Sequence, residues 1–129
     1  MTDNTATTWT APPHPKWLNQ LNREGKYFDL AAVVPLDESS LLDCACRSTG
    51  LNDFGDDLWR EPFTVLLKAL EEEAQLTLMG RLMARSDILL WLSTRLQVTA
   101  TLKQHPEILD EAIQAPMMIA GLPRSGTSI

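Results

Sequence analysis

Two glycines, one guanidinium and three hydroxyls gather in the nine residues Gly121, Leu122, Pro123, Arg124, Ser125, Gly126, Thr127, Ser128 and Ile129, directly after the apolar run Met117, Met118, Ile119, Ala120. These residue types suit an anion. Glycines let backbone amides approach a ligand closely, and an apolar run that feeds such a loop is how α/β proteins present a phosphate site. The planar guanidinium, with five donors and a permanent charge, matches a tetrahedral oxyanion held in one pose.

Gly121 and Gly126 enclose four residues and are followed by Thr127 and Ser128, the spacing of the nucleotide-binding pattern G-x-x-x-x-G-K-[ST]. Thr127 stands where that pattern has its lysine, and the cation sits inside the loop as Arg124. An anion is expected, though not necessarily ATP. Pro123, Arg124, Ser125, Gly126, Thr127 and Ser128 resemble the P-[KR]-[ST]-G-T-[ST] loop of sulfotransferases, which grips the 5′-phosphosulfate of 3′-phosphoadenosine 5′-phosphosulfate (PAPS). Upstream, Gly50, Leu51, Asp53, Phe54, Gly55, Asp56, Asp57, Arg60, Glu61 and Pro62 resemble the leader of a bacterial PAPS-dependent sulfotransferase group. The stretches Arg81–Leu89 and His105–Asp110 resemble the helical segment that follows in that group. The likeness runs from about Asp37 to the end of the sequence.

The resemblance implies an α/β, P-loop-like sulfotransferase fold. Residues 1–129 supply its helical amino-terminal region, its first strand and its phosphosulfate loop. It implies PAPS as sulfuryl donor, no metal, and an acceptor hydroxyl on a small molecule whose identity is not legible. Arg124 is the catalytic residue by this reading, and Pro123, Arg124, Ser125, Gly126, Thr127 and Ser128 bind the cofactor. The family's acceptor base and its contacts to the 3′-phosphate have no counterpart that can be assigned here. The economical expectation is therefore an amino-terminal part of a longer enzyme, inactive by itself. Two other classes stay open: a divergent P-loop nucleotide hydrolase, and a non-catalytic helical module that uses its apolar stripes against a partner.

The chain divides into a mobile tail with a short helix (1–35), a helical region (36–115) and the strand with its loop (116–129) by composition and periodicity. Pro15 in a first turn, Trp17, Leu18 and Leu21 as an apolar stripe, and Gly25 past the end predict one short helix. Tyr27–Pro35 reads as an extended connector. Asp37 as cap, Leu41, Leu42 and Ala45 at helical spacing, and Gly50 as left-handed stop predict a second helix.

In the loop that follows, Asp56 or Asp57 is expected to cap the next helix, with Pro62 in its first turn. Its letters Asp-Phe-Gly also occur in the kinase magnesium motif, but nothing upstream resembles a kinase. Phe63, Leu66, Leu67, Leu70 and Ala74 form a stripe, with Lys68 and Glu71, Glu72, Glu73 on the solvated face. From Met79 a long helix is expected to bury Leu82, Met83, Ser86, Leu89, Leu90 and Leu96, to turn Arg81, Arg85 and Arg95 outward, to break or bend near Gln97–Thr99 and to stop before Pro106.

The net charge of −6 lacks the clustered Lys and Arg that nucleic acid requires. No apolar run approaches the roughly 20 residues of a membrane span, and Met1–Pro13 lacks the pattern of a secretory signal, so a cytoplasmic protein is expected. Cys44 and Cys46 have no further thiols or histidines at zinc-site spacing and read as reduced, partly packed thiols. His14 and His105 precede prolines without a partner nucleophile. Met117–Ala120, apolar on both faces and without an evident partner strand, is expected to favour self-association.

Overall fold

The computed structural model describes residues 12–116 and 120, and within them the chain is mainly α-helical, with no strand. The elements are α1 (Lys16–Gly25), α2 (Leu30–Val33), α3 (Glu38–Thr49), α4 (Arg60–Glu72), α5 (Leu78–Gln104) and a 3-10 turn, Pro106–Asp110. Residues 117–119 of the expected strand and the whole loop 121–129 lie outside the described residues. No helix among those described is long and apolar enough to cross a membrane.

Helix α1 begins after Pro15, whose carbonyl accepts from the amides of Leu18 and Asn19. Gly25 is its last helical residue, not a left-handed stop beyond it: the following Lys26 keeps right-handed geometry. The reason for glycine is proximity, because a Cβ at Gly25 would lie 2.8 Å from Cβ of Leu78. That close approach seats α1 on the start of α5, where Asn22 also accepts from the Met79 amide. Leu18 and Leu21 are half-buried, while Trp17 stays exposed. The connector expected at Tyr27–Pro35 contains a helical turn, α2, because the Asp29 carboxylate accepts from the amides of Ala31 and Ala32 and satisfies donors that an extended chain would leave to water.

Helix α3 has the expected ends. The Asp37 carboxylate accepts from the Ser40 amide at 2.9 Å, and Gly50 closes the helix at φ +71°. Its buried Leu41 and Ala45 meet Ile88, Leu92 and Leu96 of α5, and Phe63 and Leu67 of α4 complete the cluster. Capping of α4 differs from expectation: Trp59 occupies the cap position, the Asp56 carboxylate accepts from the Leu58 amide in the turn before it, and Asp57 accepts from Nε of Arg60.

Helix α5 is the spine of the fold, at 27 residues about 40 Å long. Thr77 caps it through the Gly80 amide. It runs past Gln97–Thr99 to Gln104 without the break that was one of the two expectations there; single β-branched residues lower helix propensity by only tenths of a kcal/mol, which tertiary packing overrides. The buried face also differs. Arg81, Ile88, Leu92 and Leu96 point inward, whereas Leu82, Met83 and Leu90 are exposed. Apolar residues surround this helix on most sides, so its own sequence period does not choose a face. Helices α3 and α1 approach α5 closely, and α4 stands further off.

Candidate functional site

The loop assigned to the anion, Pro123, Arg124, Ser125, Gly126, Thr127 and Ser128, lies outside the described residues. What the described residues define is the scaffold before it. That scaffold is organised by three arginines of α5 expected to face outward: Arg81 is buried, and Arg85 and Arg95 are half-buried with donors engaged by backbone carbonyls.

Arg81 is 6% exposed. Its Nε donates to the Val34 carbonyl at 3.0 Å, and its two terminal nitrogens donate to both Glu71 oxygens at 2.7 and 2.5 Å. The bidentate pair holds the Glu71 carboxyl below its ordinary value of 4.5, chiefly through the hydrogen bonds from Arg81, and raises Arg81 in turn. Glu71 remains on the exposed face expected of the Glu71–Glu73 run, but its carboxylate is tied to Arg81. One turn later, Arg85 donates to the Pro35 carbonyl and, at 3.0 Å, to Oγ of Ser40.

Arg95 donates from Nε to the Phe54 carbonyl at 2.6 Å and from Nη2 to the Asp56 carbonyl at 3.0 Å, with the Asp56 carboxylate 3.3 Å away. Lys103 pairs with Asp53 further along. Asp53 also accepts from the Gly55 amide, and Lys103 is the main cause of its lowered pKa. The carbonyls of the two non-helical stretches, 34–36 and 51–57, have no ladder to join, so guanidinium donors from one rigid helix fix both. Arg81 and Arg85 are therefore engaged within the fold and are not available to an anion.

Between α4 and α5 lies a cleft of about 370 Å³, lined among others by Trp59, Phe63, Leu66, Ile88, Trp91 and Arg95. A second cavity of about 190 Å³ continues it past Leu70, Ala84 and Asp87, sharing Leu66, Ile88 and Trp91. Trp59 forms one end. Phe54 and Phe63 pack on it with ring centroids 5.4 Å away, and Arg60 and Arg95 lie over it at 5.3 and 5.4 Å. Guanidinium–indole contacts of this kind contribute roughly 0.5–2 kcal/mol each. The Trp59 Nε1 is buried without a hydrogen-bond partner among the described residues. The sequence reading missed this groove and the engaged arginines. One signal was present: Arg81, Arg85, Ile88, Leu92 and Leu96 follow one another at steps of three and four, so the arginines share a helical face with three large apolar residues.

Neither family models, nor curated proteins, nor solved structures match this chain.

The remaining sequence candidates are placed as follows. Cys44 and Cys46 are free and half-buried on α3. His105 caps the end of α5, with Nδ1 3.0 Å from the Glu107 carboxylate, and His14 is exposed before α1. Glu72 pairs loosely with Lys68 at 3.9 Å.

Proposed function

We propose that this chain carries the phosphosulfate loop of a PAPS-dependent sulfotransferase and the helical region that precedes it. The observation that carries the reading is the loop itself: Arg124 within Pro123–Ser128, and no lysine at position 127. Support comes from the leader that resembles the same family. Residues of both resembling stretches are held by hydrogen bonds of the scaffold: the Phe54 and Asp56 carbonyls accept from Arg95, and Arg81 and Arg85 donate to the Val34 and Pro35 carbonyls.

In the proposed reaction an acceptor hydroxyl oxygen attacks sulfur in line, the bond from sulfur to the 5′-phosphate oxygen breaks, and the electron pair leaves with the phosphate. Arg124 stabilises that departing charge electrostatically, since a guanidinium with pKa above about 12 is a poor proton donor. The amides and hydroxyls of Ser125, Gly126, Thr127 and Ser128 add donors. The base that takes the acceptor proton is not assigned within residues 1–129, so no turnover of PAPS above blank is expected from this chain.

Binding is the direct test. Titration of the ¹⁵N-labelled chain with adenosine 3′,5′-bisphosphate at millimolar concentration should shift amides confined to 121–129, and Arg124→Ala should abolish the shifts. Absence of any change in that segment refutes the assignment.

A further inference from the structure

The groove between α4 and α5 has a symmetry in its charges. Asp87, Trp91 and Arg95 lie at steps of four along α5, and each charged residue stands about 6 Å along the helix from Trp91. Trp91 is 60% exposed. Asp87 pairs with no cation among the described residues, and Nη1 of Arg95 donates to nothing there. Further exposed apolar residues are Leu66, which lines the groove from α4, and Met83, Leu90 and Val98 on α5.

We infer that the occupant of this face is a second copy of the chain, docked through α5 in antiparallel orientation with the two-fold axis at Trp91. That operation sets Trp91 against Trp91 of the other copy, and it brings each Asp87 to the unengaged Nη1 of the opposite Arg95. Opposite charges at equal distances from the axis are what an isologous interface requires, because every contact is made twice. An uncharged ligand would leave both ends of the groove unanswered. The five exposed apolar residues Leu66, Met83, Leu90, Trp91 and Val98 supply on the order of 500 Å² per copy, below the ~800 Å² each partner contributes to a standard interface, so a weak dimer of micromolar affinity is expected. The residues of this surface are different ones from the apolar run Met117–Ala120.

Sedimentation velocity of the whole chain, from about 1 to about 300 µM to bracket that affinity, provides the test. The wild type should pass from monomer to dimer across the range. Trp91→Glu should remain monomeric throughout, and Asp87→Arg, which sets two arginines together at both ends, should weaken association at least tenfold. Both positions are exposed, and an unchanged far-UV circular dichroism spectrum checks that each variant keeps its fold. A wild type that stays monomeric overturns the inference. So does a dimer that both variants form as readily as wild type, or one that persists in Trp91→Glu and is lost in Ile119→Lys.

Discussion

Arg81→Met is the most informative single change in this fold. It keeps a long apolar stem and removes three hydrogen bonds, one to the Val34 carbonyl and two to Glu71. Breaking a buried pair from one side costs about 3–5 kcal/mol when the remaining charge has no access to water. Here the Glu71 side chain keeps about a third of its surface, 35%, so it rehydrates and much of that penalty disappears. Val34 does not have that escape, being 3% exposed, and its carbonyl loses the guanidinium donor at a cost of about 1–2 kcal/mol.

The expected loss for Arg81→Met is therefore about 2–3 kcal/mol, with Arg81→Lys intermediate because a single ammonium does not span both carboxylate oxygens and the carbonyl. Only nine apolar residues are buried among those described, so a total stability near the lower end of about 5–15 kcal/mol is expected and the loss is a large share of it. Urea unfolding followed by circular dichroism measures it as a fall in midpoint at constant slope. A fall of less than about 0.5 kcal/mol in Arg81→Met would refute the reasoning, since that is the range of surface substitutions and would mean the arginine is solvated after all.

Stability should also fall with acid. Asp37 is held below its ordinary 3.8, first by the Ser40 amide and then by the Ser39 hydroxyl, and Glu71 below 4.5 by Arg81. Carboxyls depressed in the folded state contribute stability that is complete above their unfolded values and is lost as pH falls through the folded ones. Urea midpoints should thus be flat from neutrality to about pH 5 and decline below it; Asp37→Asn with Glu71→Gln should flatten the decline, and an equally steep fall in that double variant would contradict the assignment. Gly25→Ala should lower the melting temperature by several degrees, because the new methyl meets Leu78 Cβ at 2.8 Å and α1 must move off α5, at about 1–3 kcal/mol. An unchanged or raised melting temperature would show that α1 yields without cost.

Helix ends were legible in the sequence where one side chain or one backbone conformation decides them. Asp37 caps α3, Gly50 ends it in the left-handed region, and Pro106 stands just past the end of α5, all through contacts within a few residues. Where local signals were weak, the reading failed. Asp29 folding α2 over its own amides and Gly25 serving proximity instead of capping were both misread, the first because the cap precedes only one helical turn, the second because its reason lies 53 residues away at Leu78.

The sequence alone also carries the proposal of an anion loop, because Arg124, Gly126 and the hydroxyls around them are neighbours in the chain whatever the fold does. Tertiary structure alone decided which side of α5 faces inward. With apolar residues all around that helix, hydrophobic period is satisfied by several faces, and the choice falls to where the guanidinium groups find carbonyls: Arg81 reaches Val34 across 47 residues, Arg85 reaches Pro35 across 50, and Arg95 reaches Phe54 across 41. No window of sequence contains both members of such a pair. The same choice leaves Leu90 and Trp91 outside and creates the groove beside α4, because a helix that turns its arginines to these carbonyls must turn some of its apolar side chains out.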